Sequence, residues 1–230
     1  MFNFILPDWQ YLPDFLKNEY VKPYYKLLLK RKKFLILKRI FDFLLSLVLI
    51  LILSPFFILI PILIKFDSKG CIFFRQKRVT KFGKTFSIIK FRTMYIDSHS
   101  EVKITLNDDK RITKMGKFLR KFRIDEFPQL FNIFYGDMTF VGTRPEIQKF
   151  VNEYSKEMLA TLLLPAGLTS RASVEFRNES DKIPDSENYF ETYLKDILPN
   201  KMKYNLEYIK NIGFFQDLKV LIFTFIGIFS

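Results

Sequence analysis

Apolar residues are concentrated along this chain rather than spread evenly. Residues 43–64, FLLSLVLILILSPFFILIPILI, carry no charge. As a straight α-helix this stretch would reach about 33 Å, enough for a hydrocarbon layer of about 30 Å. Two features argue against a simple crossing. Pro55 has no N–H for the carbonyl of Leu51 and its ring presses on that turn, so the helix should kink or break at Ser54–Pro55, where the Ser54 hydroxyl can partly satisfy the freed carbonyls. Each half, 43–54 and 55–64, then reaches only about 15–18 Å. Both flanks are also basic: Lys30, Arg31, Lys32, Lys33, Lys38 and Arg39 come before, and Lys65, Lys69, Arg75, Lys77 and Arg78 after. Cationic flanks stay on the cytoplasmic side, and here both ends favour the same side. The pattern predicts a re-entrant helix-break-helix hairpin; a kinked transmembrane helix is the alternative.

Beyond residue 70 the pattern becomes that of a polar-surfaced domain. IFFRQKRV (72–79) and KTFSIIKFRTM (84–94) alternate around Lys81-Phe82-Gly83 and predict two strands or a hairpin. Residues 107–114 read as a charged loop or helix start. MGKFLRKFRI (115–124) places Met115, Phe118, Leu119 and Phe122 on one helical face, ringed by Lys117, Arg120, Lys121 and Arg123. Such a helix suits an anionic surface, and equally suits packing on the core with solvated lysines. PQLFNIFYG (128–136) is a short helix with Pro in its first turn and Gly at its end. Helix is predicted over 151–164, stopped at Pro165, then over 186–198 and 204–213. The apolar tail 217–230 has an uncharged part too short to span, so it should dock on the domain or at an interface. Residues 1–29, broken by Pro7, Pro13 and Pro23 and by acids, do not form a secretory signal. They read as an extension with short helices, where Trp9, Tyr11, Tyr24 and Tyr25 would rest at an interface.

Composition sharpens this picture. With 28 Phe and 11 Tyr the chain is rich in aromatics, which suits a lipid–water boundary. A net charge of +13 points to anionic partners: acidic head groups, phosphorylated substrates or nucleic acid. Because the charge lies beside lipid-seeking sequence, nucleic acid is not expected as a partner. The single Cys71 excludes an internal disulfide, and with the lone His99 it argues against a structural zinc site. Both residues read as packing or surface.

The candidate chemistry is Asp125-Glu126, just before the Pro128 helix. By itself such a pair is ordinary, since Asp caps helices and first-turn acids complement the dipole. Its neighbours alter that reading. Arg120 and Arg123 precede it, Arg144 sits in the Gly/Pro-bounded VGTRPE (141–146), and Lys90 and Arg92 lie on the earlier strand. Cations around two carboxylates suit phosphates held with a divalent metal between. A carboxylate can also attack phosphorus to form an acyl phosphate. No Walker loop or GxGxxG is present, which weakens a nucleotide-hydrolase reading.

KRIFDFLLSLVLILILSPFFILI, FFRQKRVTKFGKTFSIIKFRTM, RITKMGKFLRKFRIDEFPQLFNIFYGDMTFVGTRPE and PAGLTS together resemble the bacterial sugar transferases, monotopic polyprenyl-phosphate phosphoglycosyl transferases. The likeness covers about residues 38–225. It implies an α+β, mostly helical fold: a re-entrant hairpin broken at Ser54–Pro55, amphipathic interfacial helices and a small β element around the site. It implies a Mg²⁺-dependent enzyme of the bacterial inner membrane, its catalytic domain facing the cytoplasm. Such an enzyme moves a sugar phosphate from a UDP-sugar to polyprenyl (undecaprenyl) phosphate, releases UMP and starts a surface glycan. By that resemblance Asp125 is the nucleophile, Glu126 assists with metal and proton, and Lys90, Arg92, Arg120 and Arg144 lie at phosphate or substrate positions. The expected divisions are an extension (1–37), the membrane hairpin (38–67), a catalytic domain (68–215) and an apolar tail (216–230). This chain has Gly142-Thr143-Arg144-Pro145 where the family usually has Gly-Pro-Arg-Pro, and Asn205 where many relatives have Asp. The rival from another class is a basic membrane-bound scaffold whose acids merely cap a helix; a rival enzyme would transfer the sugar directly and release UDP.

Overall fold

A computed structural model of the chain describes residues 6–95, 111–177 and 189–229. His99 and residues 107–110 of the charged 107–114 segment lie outside these. Helix predominates, with two small two-stranded sheets, an α+β arrangement.

The N-terminal segment is core, not periphery. Two 3₁₀ turns, Trp9–Tyr11 and Asp14–Leu16, lead into α1 (Val21–Lys30). Leu6, Leu12, Leu16, Val21 and Leu28 join the main hydrophobic cluster with Ile209 and Ile212 from the C-terminal region. Tyr24 and Tyr25, expected at an interface, are buried in it. Their hydroxyls are satisfied internally, Tyr24 donating to Glu157 at 2.6 Å and Tyr25 to the Pro7 carbonyl at 2.9 Å. Trp9 packs edge-on against Tyr25, whereas Tyr11 is exposed. Sequence position alone suggested an appendage; the apolar spacing of α1 supplies a face that only the domain covers.

Arg31 alone separates α1 from α2 (Lys32–Ile52), and Leu53 separates α2 from α3 (Ser54–Asp67). The α2 and α3 axes differ by 59°. Pro55 sits in the first turn of α3, where its missing N–H leaves no bond unmade, so the break falls just ahead of it. Among the described residues no single helix is long and apolar enough to cross a membrane; only this bent pair passes that test. The 37/38 division lies inside α2.

The burial of α2 is inverted. Lys38, Asp42 and Ser46, four residues apart, face the protein, while Leu37, Leu44, Val48 and Leu51 are exposed. On α3, Ile60 and Ile64 pack with Phe91 and Leu119, leaving Ile58, Leu59, Ile62 and Leu63 outside. A soluble helix would show the opposite arrangement.

The predicted hairpin is present. β1 (Phe73–Val79) pairs antiparallel with β2 (Thr85–Phe91), with Phe74 opposite Lys90, about a tight turn with Phe82 at φ 57°. α4 (Lys114–Lys121) combines both readings of its sequence: Leu119 is buried, while Phe118 and Phe122 are largely outside. α5 (Gln129–Tyr135) ends at Gly136, whose φ of 90° suits the left-handed cap.

Two expectations are corrected. Residues 151–164 are not one helix but α6 (Gln148–Val151) followed by a 3₁₀ stretch, Met158–Leu163. Its consecutive Ala160, Thr161, Leu162 and Leu163 are all buried, filling the core on every side. After Pro165, which stops the helix in the sequence reading, the PAGLTS motif forms β4 (Ala166–Thr169), parallel to β3 (Met138–Val141). Helices expected at 186–198 and 204–213 run together. α7 (Arg171–Glu175) comes first; then α8 (Tyr189–Thr192), a π turn over Tyr193–Ile197 and α9 (Leu198–Lys210) follow without a gap. The π turn lies just ahead of Pro199, which cannot donate to the ladder. The tail forms α10 (Phe214–Phe229), docked through Val220 with Phe215, Ile222, Phe225 and Ile226 exposed.

Candidate active site

Three segments bring the candidate residues together. Lys90 stands near the end of β2, Asp125 and Glu126 lie on a 3₁₀ turn (Ile124–Glu126) between α4 and α5, and Arg144 follows β3. Asn132 of α5 ties two of these together. Its side-chain carbonyl accepts from the Ile89 N–H at 3.1 Å and its amide donates to the Ser87 carbonyl at 2.9 Å. It thereby completes the free edge of β2 and holds Lys90 against the helix that follows the acids. The loop of Arg144 is held by β3–β4. Gly142 N–H donates to the Thr169 carbonyl at 3.0 Å and Gly167 N–H to the Thr143 carbonyl at 2.7 Å. A Cβ at Gly167 would lie 2.2 Å from the Gly142 oxygen, so this approach requires glycine.

Neither carboxylate caps a helix. The turn bearing them and α5 both lack a side-chain cap, and Arg123 enters the turn at φ 56°. Glu126 Oε1 instead accepts from Lys90 Nζ at 2.8 Å and Arg144 Nη2 at 2.9 Å. Asp125 is 7% exposed, and its Oδ1 is buried with no hydrogen-bond partner among the described residues. Burial raises the Asp125 pKa above its ordinary value, with Lys90, Arg120 and Arg123 opposing and the charge of Glu126 adding. Burial works the same way on Glu126, but Arg144 and Lys90 overcome it and hold that carboxyl well below the usual range. Two adjacent acids are thus pushed apart, one firmly charged and one more basic, as acid/base and nucleophilic sites require.

The predicted cations do not all converge. Lys90 and Arg144 meet at Glu126, and Arg120 stays within electrostatic reach of Asp125 while its Nε donates to Thr93 Oγ1 at 2.9 Å. Arg92 turns away to the end of α3, giving Nη2 to the Ser68 carbonyl at 2.7 Å and its hydroxyl at 2.8 Å. Beside it Asp67 accepts from the Met115 N–H at 3.1 Å, so α3 and α4 are joined there. Sequence reasoning missed the support behind Arg144. Arg78 donates to the Pro145 carbonyl at 3.3 Å and lies 3.6 Å from Glu146, which also accepts from the Tyr193 hydroxyl. Arg78 counted in sequence only as part of a basic flank.

No cluster of three or more His, Cys, Asp or Glu able to hold a metal occurs among the described residues. Of the two acids, Asp125 offers an open oxygen, whereas Glu126 Oε1 already serves two cations. That donor set fits a Mg²⁺ ion which takes most of its ligands from phosphate and water.

The pattern of the bacterial sugar transferases matches residues 33–230, the helix pair, all four strands and the Asp125 turn included. The chain belongs to the bacterial sugar transferase family. Among the described residues, α1, the turns before it, Arg31 and Lys32 precede the matched span of this bacterial sugar transferase. Its relatives include a Klebsiella pneumoniae "UDP-glucose:undecaprenyl-phosphate glucose-1-phosphate transferase", 31% identical across 83% of this chain and 39% of that protein. An Aeromonas hydrophila "UDP-N-acetylgalactosamine-undecaprenyl-phosphate N-acetylgalactosaminephosphotransferase" is 32% identical across 82% of this chain and 42% of its own length. The chain thus spans about two-fifths of these curated relatives. A shorter relative, the "Exopolysaccharide production protein ExoY" of Rhizobium meliloti (strain 1021), is 30% identical over 81% of this chain and 83% of its own.

Proposed function

We propose that this chain is a phosphotransferase that moves a sugar-1-phosphate from a UDP-sugar to polyprenyl (undecaprenyl) phosphate, releasing UMP and starting a surface glycan. The observation that carries the reading is the buried Asp125 oxygen, unpartnered among the described residues, beside a Glu126 gripped by Lys90 and Arg144. A buried acceptor left unsatisfied is costly and finds its use in chemistry. In the first step a carboxylate oxygen of Asp125 attacks the β-phosphorus of the donor. The bond from that phosphorus to the bridging oxygen breaks, and UMP leaves with the electron pair. In the second step an oxygen of the lipid phosphate attacks the same phosphorus, and the acyl–phosphate bond breaks to restore Asp125. Lys90, Arg144 and Arg120 offset charge on the phosphoryl oxygens. Mg²⁺, held through Asp125 with Glu126 alongside, would neutralise further phosphate charge and orient the donor. Arg92 gives Nη2 to Ser68, and its Nε and Nη1, without partners among the described residues, keep it as a further donor for a phosphate.

In this reading residues 38–67 enter and leave one leaflet, 68–215 form the catalytic domain on the cytoplasmic face of a bacterial inner membrane, and 216–230 rest at the lipid boundary. Both ends of the bent pair are tied to one domain. Arg39 bonds the Ile133 and Phe134 carbonyls at 2.6 and 2.7 Å, and Ser68 is bonded to Arg92. A crossing would carry part of that domain through lipid. In this arrangement, with both arms inclined from the membrane plane by half the bend, arms of about 18 Å reach about 9 Å deep, less than a leaflet of about 15 Å.

Purified protein supplied with UDP-sugars, polyprenyl phosphate and Mg²⁺ should release UMP. UDP as the product, or no nucleotide across a donor panel, would overturn the reading. Labelling of residues 30–39 and 65–78 from the cytoplasmic side tests the topology; opposite-side labelling refutes the hairpin.

A further inference from the structure

Away from Asp125, where α1 meets α2 and α9 turns into α10, lies an open cavity of about 670 Å³. Lys30, Arg31 and Lys33 line it with Phe34, Phe214 and Phe215, and no acid contributes. Arg31 sets its geometry. Its Nη1 donates to the Ile212 carbonyl at 2.6 Å, and a Cβ on Gly213 would sit 3.5 Å from the same nitrogen. The guanidinium therefore pins the α1–α2 junction to the α9–α10 turn, and the two lysines extend from that junction into solvent. Phe214 and Phe215 are 58% and 84% exposed, an unusual state for two adjacent rings.

The cavity stands where two apolar helix faces begin. α2 runs from it with Leu37, Ile40 and Phe41 exposed, and α10 with Leu218 and Ile222 exposed. Cations at the start of an apolar face, with aromatic rings beside them, mark the level of the phosphate and glycerol groups of a bilayer. We propose that this cavity is a binding site for an anionic glycerophospholipid. Its phosphate lies among Lys30, Arg31 and Lys33, and its acyl chains lie along Phe214, Phe215 and the outer faces of α2 and α10. No lining residue belongs to the Asp125 site, so the lipid here is bound rather than consumed. It gives the segment outside the family match a role: Lys30, at the end of α1, and Arg31 after it join Lys33 of α2 in fixing the height and tilt of the domain on an anionic leaflet.

The test is calorimetric titration of the full chain in neutral-detergent micelles with short-chain phosphatidylglycerol, phosphatidylcholine and inorganic phosphate. Phosphatidylglycerol should bind saturably and at least tenfold more tightly than phosphatidylcholine, with no saturable phosphate binding at the same ionic strength. Lys30→Gln/Lys33→Gln should weaken phosphatidylglycerol about 10- to 30-fold, each cation near a membrane surface contributing about a fivefold factor. Both lysines are exposed, so the lipid-free melting temperature should not move. Phe215→Ser, which keeps every cation, should weaken the lipid as well. Equal affinity in the double lysine variant, equal affinity for the two lipids, or phosphate binding as tightly as phosphatidylglycerol overturns the proposal. So does polyprenyl phosphate displacing phosphatidylglycerol from the lysine-dependent site, which would make it an acceptor site. Turnover is not measured, so failure here leaves the proposed reaction standing.

Discussion

Two pairs of carboxylates, each with one member buried and one half-buried, are treated in opposite ways in this molecule. Asp42 accepts from the Thr139 hydroxyl at 2.5 Å and the Phe140 N–H at 3.4 Å. Asp217 accepts from Lys38 at 2.5 Å and from the Tyr208 hydroxyl at 2.6 Å. All four oxygens are partnered, and the cluster joins α2 and α10 to β3. At the other pair Glu126 is bonded by two cations, while Asp125 Oδ1 has no partner among the described residues. Burial is common to both; satisfaction is not. A complete network positions elements, and an incomplete one beside a charge cluster leaves an atom available for reaction.

The largest expected effect comes from Asp125→Asn. UMP release should fall by at least about a thousandfold, because the nucleophile is gone, while the folded state loses nothing. Release assays beside thermal melts read both outcomes; near-normal turnover would make Asp125 structural after all. Next, Lys38→Met should cost about 3 kcal/mol in chemical denaturation, since it removes the buried cation paired with the half-buried Asp217. Pairing it with Asp217→Leu should recover most of that loss, and a double variant as unstable as the single one would break the contrast.

The third expectation concerns pH. With its pKa raised above 3.8, Asp125 binds a proton more readily folded than unfolded, so its burial costs stability at neutral pH. Acidification through that raised value relieves the cost, and turnover falls through the same range as the nucleophile is protonated. Glu126, lowered from 4.5, behaves oppositely: its stabilisation is present above 4.5 and is lost as pH falls below it. Any stability advantage of Asp125→Asn at pH 7 should therefore shrink on acidification, measurable in melts from pH 7 towards 4. An advantage independent of pH would mean Asp125 is not held as described. Smallest, Thr139→Val removes one of two bonds to Asp42 and should cost about 1–2 kcal/mol without changing turnover per folded molecule.

Much of the candidate site was legible because its signals are local. Asp125 and Glu126 are adjacent, Pro128 and Gly136 bracket a helix, and the alternation around Lys81–Gly83 produced the β1–β2 hairpin. The buried stripe Lys38–Asp42–Ser46 was equally local, since its fourfold spacing lies in plain view. It went unread because an apolar helix is expected to hide its apolar face, and this one exposes it. The β3–β4 pairing was not legible, because four-residue parallel strands some 25 residues apart carry too little periodicity to announce a partner.

The sequence by itself determined the break before Pro55, the β1–β2 hairpin, the short helix after the acids and the chemical types gathered near them. These follow from dihedral limits and from spacing over a few residues. Tertiary structure decided that Glu126, and not Asp125, receives Lys90 and Arg144, that Arg92 goes to Ser68, and that Tyr24 and Tyr25 are core. It also left one Asp125 oxygen without a partner among the described residues. Partner choice and burial arise from segments far apart in the chain meeting in a low-dielectric interior, where position sets charge and basicity.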